Sequence, residues 1–183
     1  GIQSFNDEIL KYLNRNHNSE DSFKAIKNAE KAGFENINLD LIFAIRENYI
    51  DVLKDDIEKF IKVNPQHISM YSLTIEDKTV FGNWVKKGKI KSVSHDTSAI
   101  EFEYIMETLE RAGYQQYEVS NFSKPGFISK HNSNYWKGVH YLGIGPSAHS
   151  FNGTSRQSNI SNNSAYIKSI EKHTGIMIAR PAD

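Results

Sequence analysis

Apolar residues recur every three or four positions in several stretches of the chain, and this spacing predicts helices. Asn6 is a candidate cap for the first helix, Gly33 stops the second, and Pro65 follows the third. Asp96 is expected to cap the fourth. The predicted helices cover about residues 6–15, 20–32, 50–63, 96–112 and 164–173.

Residues 37–43 follow a two-residue period instead, which is typical of a β-strand. Apolar and polar side chains fall on opposite faces: Ile37, Leu39 and Leu41 against Asn38 and Asp40. A second strand is predicted at residues 67–75, at the spacing of a βαβ unit with a parallel sheet. In a (β/α) barrel the apolar face would pack on helices, and Asp40 would face the lumen near the ligand-binding end. The alternative places Asp40 on the solvent face of an antiparallel sheet.

The second half of the chain is more polar. Residues 78–94 carry several lysines and are predicted to form a solvated loop. Residues 114–159 are rich in Asn, Ser, Gly and aromatic residues, which predicts short strands and functional loops. Within them, residues 117–122 alternate like a strand, with Glu118 and Ser120 on one face.

Composition narrows the class of protein. The chain has 183 residues, with 22 basic and 22 acidic side chains, so no net charge favours nucleic acid or an anionic membrane. Its apolar runs are far shorter than the roughly 20 residues that span a bilayer, and no secretion signal is present. The absence of cysteine excludes disulfides and thiolate metal sites within this chain. We therefore expect a soluble, cytoplasmic protein.

Without a family resemblance, the residues alone give only weak indications of a metal or ligand site. His131, His140 and His149 recur every nine residues, but they lack a recognised metal-site spacing and neighbouring carboxylates. The segment 143–147, Gly-Ile-Gly-Pro-Ser, lacks the lysine and the strand-to-helix setting of a phosphate loop. It is better explained as a tight turn that brings backbone close to a ligand or another segment.

A series of short motifs nevertheless runs through residues 1–170 in a fixed order. They are Gly-Ile-Gln-Ser-Phe (1–5), Asn-Arg (14–15), Asp-Leu-Ile-Phe (40–43), His-Ile-Ser-Met-Tyr-Ser-Leu (67–73), Tyr-Glu-Val-Ser-Asn-Phe (117–122), His-Asn-Ser-Asn-Tyr-Trp (131–136) and Gly-Ile-Gly-Pro-Ser-Ala-His-Ser (143–150). Together they resemble the oxygen-independent coproporphyrinogen III oxidase-like family of radical-SAM proteins, and residues 131–136 most resemble its heme-chaperone branch.

The resemblance implies an α/β fold: the second half of a (β/α)6 radical-SAM partial barrel, followed by a smaller α+β C-terminal region. Residues 1–76 would be the barrel part, with strands at 1–5, 37–43 and 68–74. Residues 77–183 would lead into the C-terminal domain. An unpaired parallel edge is an aggregation hazard. We therefore expect a piece of a longer parent whose cluster-binding cysteine loop lies upstream of Gly1.

In that family, residues matching Gln3, Arg15 and Asp40 help to hold S-adenosylmethionine. A guanidinium can bind the methionyl carboxylate with two hydrogen bonds, and an aspartate can accept from ribose hydroxyls. Plainer roles remain open: Arg15 as a cation at a helix C-terminus, and Gln3 as a buried amide bonded to a neighbouring strand.

In the heme-chaperone branch, the histidine matching His131 is linked to heme binding. A neutral imidazole is a good ligand for heme iron, and Tyr135 and Trp136 can lie against the porphyrin face. The alternative is that residues 131–136 form a packing corner between barrel and C-terminal region.

The implied parent binds a [4Fe–4S] cluster, S-adenosylmethionine and heme, and delivers heme to recipient apoproteins. Cluster ligands are cysteine thiolates, so we expect that this chain cannot catalyse alone. A coproporphyrinogen III dehydrogenase that decarboxylates propionates is the alternative. A degenerate scaffold without cofactor is a third, because Ala-Ile-Arg-Glu-Asn-Tyr at 44–49 replaces the family's Gly-Leu-Pro-x-Gln-Thr.

Overall fold

The computed structural model describes residues 1–76, 79–172 and 177–181. Its helices are α1 (Asp7–Tyr12), α2 (Ser19–Lys31), α3 (Ile50–Val63), α4 (Val80–Lys86), α5 (His95–Arg111), α6 (Lys130–Trp136) and α7 (Asn163–Glu171). Its strands are β1 (Asn38–Phe43), β2 (His67–Ser72), β3 (Gln115–Gln116), β4 (Asn121–Ser123), β5 (His149–Phe151), β6 (Ser155–Asn159) and β7 (Met177–Pro181).

The main sheet has the strand order β1-β2-β4-β3. β1 and β2 are parallel, whereas β4 runs antiparallel to β2 and to β3. Gln3 adds a parallel bridge on the free side of β1, opposite Leu41. The predicted first strand is therefore reduced to a single bridge, because Gln3 has a φ of 67° and turns the backbone out of the extended conformation.

Local sequence explains where the helices begin and end. The side chain of Asn6 accepts from the backbone N–H groups of Glu8 and Ile9 at the start of α1. Asn18 and Asp21 form a capping box at the start of α2. α3 ends at Asn64, which adopts the left-handed conformation just before Pro65. These ends orient the helices that cover the apolar face of the sheet.

The core lies between that face and helices α2, α3 and α5. Its fully buried members alternate along the strands or recur along the helices: Leu41, Ile57, Phe60, Ile68, Met70, Ile105, Leu109 and Phe122. A smaller cluster of Ile9, Leu13 and Ile45 joins α1 to the segment after β1. Burial of these side chains supplies the main stabilisation of the sheet.

The chain divides into two compact units, Gly1–Ile128 and Ser129–Asp183. The first contains the main sheet and the second an antiparallel sheet of order β5-β6-β7. This division by compactness differs from the predicted family boundary after residue 76, which stays a prediction.

Some predicted elements differ from the structure. Residues 80–86 form a helix inside the predicted loop, capped by Thr79. Ser94, not Asp96, caps α5. Residues 117–120 are a bend, so the strand predicted there is confined to Asn121–Ser123. α7 matches the predicted last helix, whose final residue, His173, lies outside the described residues. Within the described ranges, no helix has the length and apolar character needed to cross a bilayer.

Candidate functional site

The sheet face opposite the core is lined with polar side chains. The register places Asn38 beside His67 and Asp40 beside Ser69, and β4 adds Asn121 and Ser123 to the same face. Oδ1 of Asn121 and Oγ of Ser123 are buried and have no hydrogen-bond partner. Native proteins leave few buried polar atoms unsatisfied, so this face has unused capacity to bind polar groups.

Gln3 and Asp40 come together at one end of this face. The backbone N–H of Gln3 donates to the carbonyl of Asp40 at 2.7 Å, and that of Ile42 donates to the carbonyl of Gln3 at 2.9 Å. A Cβ atom on Gly1 would lie 2.0 Å from Nε2 of Gln3 and 3.2 Å from Oδ2 of Asp40. The amide of Gln3 and the carboxylate of Asp40 therefore pack so closely on Gly1 that a side chain there would displace the amide. Asp40 lies on the face predicted from the alternation of residues 37–43.

Arg15 is exposed and follows α1, and its backbone N–H donates to the carbonyl of Leu10 at 2.9 Å. Its guanidinium makes no ion pair with any residue in the described part of the chain. This position just beyond a helix end is compatible with the simple role of a cation at a helix C-terminus. Both roles suggested for Arg15 therefore stay predictions.

Two buried carboxylates hold the strand ends next to the polar face. Asp56 on α3 accepts from the hydroxyl of Ser4 and, at 2.8 Å, from the backbone N–H of Phe5. Burial raises the pKa of Asp56 to about 6, although both hydrogen bonds act in the opposite direction.

Glu101 on α5 accepts from the backbone N–H of Ala44 at 2.8 Å. Burial raises the pKa of Glu101, against the effect of that hydrogen bond. Asp56 and Glu101 line the same cavity of about 20 Å³, which is room for about one water molecule. The ends of the Gln3 bridge and of β1 are thus fixed from two different helices.

Asp40 is also connected to residues for which no role in a site was predicted from the sequence, although His67 and Tyr117 open two of its motifs. Nδ2 of Asn38 donates to Oδ1 of Asp40 at 2.6 Å, and Nδ1 of His67 lies 2.5 Å from Oδ1 of Asn38. Nε2 of His67 lies 2.7 Å from the hydroxyl of Tyr117. Burial lowers the pKa of His67, opposed by the charges of Asp40 and Glu118. The sequence feature that could have indicated these contacts was His67 at the start of a predicted strand, with the polar Asn38 in the neighbouring predicted strand.

In the second unit, His131 lies on the short helix α6, whose N-cap Ser129 accepts from the backbone N–H of Asn132. The rings of His131 and Tyr135 meet edge-on, with centroids 5.1 Å apart. The ring of Tyr135 also packs edge-on against that of Tyr141, with centroids 5.0 Å apart. His131 is exposed, and Tyr135 and Trp136 are 50% and 66% exposed. The alternative of a packing corner between barrel and C-terminal region stays a prediction.

The glycine segment 143–147 is a tight turn, as predicted. A Cβ atom on Gly143 would lie 2.2 Å from the backbone oxygen of His149. Nδ2 of Asn159 donates to the carbonyls of Gly143 and Gly145 at 3.2 and 2.8 Å. No group of three or more His, Asp or Glu side chains in the described part of the chain is arranged to hold a metal ion.

Comparison with known proteins agrees with these motifs. Residues 1–62 match the model of the radical SAM superfamily. The heme chaperone HemW of Lactococcus lactis is 41% identical over 168 residues, which are 92% of this chain and 44% of that protein. The HemW of Bacillus subtilis is 38% identical over 160 residues, 87% of this chain and 42% of its own length.

Over most of its length the chain is similar to the heme-chaperone branch of the coproporphyrinogen III oxidase-like radical-SAM family. Escherichia coli coproporphyrinogen III oxidase, HemN, a radical-SAM enzyme, superposes with a TM-score of 0.76 at 21% identity. The match covers 98% of this chain and 44% of that structure, and it shows the shared fold. This chain spans less than half the length of the curated relatives it matches.

The match to the radical SAM superfamily implies S-adenosylmethionine and a [4Fe–4S] cluster in full-length proteins of that superfamily. The amide of Gln3 and the carboxylate of Asp40, which both lie next to Gly1, are polar groups of the kind that fit S-adenosylmethionine. The thiolates that hold a cluster do not come from this chain, which contains no cysteine.

Proposed function

We propose that this chain is part of a heme chaperone that binds heme and transfers it to recipient apoproteins in the cytoplasm. The observation that carries the proposal is the similarity to proteins named heme chaperone HemW, across residues that include both the polar face and α6. In this proposal the first unit holds S-adenosylmethionine and the second binds heme.

The proposed cofactor residues are Gln3, Arg15 and Asp40. Asp40 accepts from ribose hydroxyls, because its carboxylate is held by Asn38 through one oxygen and keeps the other available. Gln3 binds beside it through its amide. Arg15 binds the methionyl carboxylate through its guanidinium, a pairing that charge and geometry favour. The cofactor, when bound with a reduced cluster, supplies radical chemistry.

The proposed heme residues are His131, Tyr135 and Trp136. An exposed imidazole can approach heme iron without displacing a buried neighbour. The adjoining aromatic side chains offer apolar surface to the porphyrin, and Leu142 and Ile144, 75% and 84% exposed, extend the apolar surface of this unit. A contiguous exposed apolar surface commonly marks a binding site.

The structure bears on the alternative of a degenerate scaffold. Ala44 replaces the glycine expected from the family motif, yet it keeps a φ of 54°, and its N–H is held by Glu101. The turn after β1 is therefore left-handed, a conformation that the glycine of the family motif would also favour. This supports a cofactor pocket over a degenerate scaffold. The dehydrogenase alternative is left to experiment.

A hemin titration followed by visible absorbance tests the proposal on this chain and on His131→Ala. We expect a Soret shift that His131→Ala loses or weakens at least about tenfold, as removal of an iron ligand requires. His140→Ala is the matched control, because His140 is an exposed histidine of the same unit. Equal responses in the wild type and His131→Ala, or no response in either, would remove His131 from the site and favour the dehydrogenase.

A further inference from the structure

Four side chains on the polar face form a hydrogen-bonded row that ends at Asp40. The polar row consists of Tyr117, His67, Asn38 and Asp40, and it crosses from the loop before β4 through β2 to β1. Its contacts measure 2.7, 2.5 and 2.6 Å in that order. These distances are short enough for well-formed hydrogen bonds at each junction.

The hydrogen-bond donors and acceptors along the polar row can be assigned in one order only. An ionised Asp40 can only accept, so Asn38 turns its Nδ2 towards Asp40 and its Oδ1 away. That Oδ1 must accept from His67, which therefore carries its proton on Nδ1. The hydroxyl of Ser69 also donates to it, at 3.2 Å. Nε2 of His67 is then free to accept the hydroxyl proton of Tyr117.

The surroundings keep His67 in the neutral form that this direction needs. The ring is buried, and its burial lowers its pKa. The two charged groups that act on it are Asp40 and Glu118. Glu118 is itself engaged, because its Oε1 accepts from the backbone N–H of Ser120 at 2.9 Å and from the side-chain amide of Asn121.

The polar row also orients the second carboxylate oxygen of Asp40, Oδ2. Asn38 binds Oδ1, whereas Oδ2 is the oxygen on the side of Gly1 and the Gln3 amide. A carboxylate held by one oxygen cannot rotate freely, so the other oxygen keeps one direction. We propose that Asn38, His67 and Tyr117 are positioning residues that aim Oδ2 of Asp40 at the ribose hydroxyls of S-adenosylmethionine. This inference rests on the proposed cofactor site.

The test measures the dissociation constant of S-adenosylmethionine by calorimetry with the full-length protein. Asn38→Asp keeps the acceptor for His67 but replaces the donor to Asp40 by a second carboxylate, and we expect affinity to fall at least about tenfold. Tyr117→Phe removes only the terminal hydroxyl, and we expect a loss of about threefold. The tenfold change corresponds to the loss of one hydrogen bond to a charged group, and the threefold change to the loss of one neutral hydrogen bond.

Matched variants separate positioning from stability. Tyr114→Phe removes a buried hydroxyl that donates to the carbonyl of Pro65 at 2.7 Å, so it should lower the melting temperature and leave cofactor affinity unchanged. His67→Asn restores a donor near the Nδ1 position and should bind more tightly than His67→Ala. In an Asp40→Ala background, Tyr117→Phe should have no further effect on affinity, because the row then has nothing to orient.

The possible results separate the positioning role from the proposed cofactor site on which it rests. If Asp40→Ala binds S-adenosylmethionine as well as the wild type, the proposed cofactor site is wrong and the inference falls with it. If Asp40→Ala loses affinity while Asn38→Asp and Tyr117→Phe retain it, the cofactor site stands and the positioning role is overturned. Equal losses from Tyr117→Phe with and without Asp40 would also overturn it.

Discussion

At the scale of single residues, Asp56 combines two opposing requirements. Its carboxylate is 4% exposed, yet it accepts from Ser4 and Phe5 and so fixes the backbone beside Gln3. Desolvation disfavours the ionised form more than these hydrogen bonds favour it, and the pKa rises from its ordinary value of 3.8 to about 6. The stability of the first unit should therefore depend on the protonation of this one group.

The sign of that dependence follows from the raised pKa. The folded state binds the Asp56 proton more tightly than the unfolded state, so the free energy of unfolding rises as pH falls from about 6 towards 3.8. The contribution reaches about 3 kcal/mol below 3.8 and is lost above about 6, at 1.36 kcal/mol per pKa unit. Urea unfolding at several pH values should show this rise in the wild type.

Asp56→Asn should remove the part of the rise that Asp56 contributes, because an amide does not titrate in this range, and should leave the smaller part that comes from the raised pKa of Glu101. Asp55→Asn is the matched control: Asp55 is the neighbouring acid on α3, exposed and paired with Lys59 at 2.6 Å. It should keep the pH dependence of the wild type. Parallel stability curves for the wild type and Asp56→Asn would show that Asp56 titrates alike in the folded and unfolded states.

Residue-scale predictions from sequence succeeded where a simple pattern governs the side chain. The alternation of residues 37–43 placed Leu39 and Leu41 in the core and Asp40 on the opposite face, and the structure agrees. The positive φ of Gln3 left no such pattern, because its backbone partners, Asp40 and Ile42, lie far along the chain. His67 was missed for the same reason: its partners come from β1 and from the loop before β4.

At the scale of elements, the end of β1 shows how a helix fixes a strand. Ala44 has a φ of 54° and is buried, and Glu101 on α5 accepts its N–H. A left-handed conformation is strained for residues with a Cβ atom and worst for β-branched ones. The strand end is therefore held in a strained turn by a contact from another element.

The positive φ of Ala44 predicts that two substitutions at this position will affect the free energy of unfolding to different extents. Ala44→Gly relieves the strain while losing one buried methyl group, so we expect the free energy of unfolding to change by less than about 1 kcal/mol. Ala44→Val places a β-branched residue at positive φ and should destabilise by about 2 kcal/mol or more. Denaturant unfolding of both variants checks this. Equal tolerance of Gly and Val would mean that the backbone here is not held left-handed.

Element predictions were best for helices with a strong apolar period. α3 was predicted with its observed limits, because its apolar stripe, Asn64 and Pro65 all act locally. α6 was missed, because its sequence, Lys-His-Asn-Ser-Asn-Tyr-Trp, has no buried residue and few good helix formers. Its N-cap Ser129 is the local signal that could have found it. The strand predicted at 117–122 was shortened because Glu118 bonds to the backbone N–H of Ser120, an interaction that competes with strand pairing.

At the scale of the whole molecule, the apolar core is distributed unevenly between the two units. Every residue of both hydrophobic clusters lies within Gly1–Ile128. In the described part of the second unit, the buried side chains are polar: Ser150, Asn159 and Ser169. Apolar burial is the dominant favourable term in folding, so the two units should differ sharply in their capacity to fold alone.

We therefore expect a fragment of residues 1–128 to melt in one cooperative transition, and a fragment of residues 129–183 to show none. The second unit is small, and domains of its size need a good core, a metal, disulfides or a partner. This chain contains no cysteine to make disulfides. Circular dichroism melts of the two fragments, with the whole chain as control, measure the difference. A cooperative melt of residues 129–183 alone would overturn this division of stability. Its appearance only after addition of hemin would instead mean that the ligand supplies the missing core, in agreement with the proposed heme site.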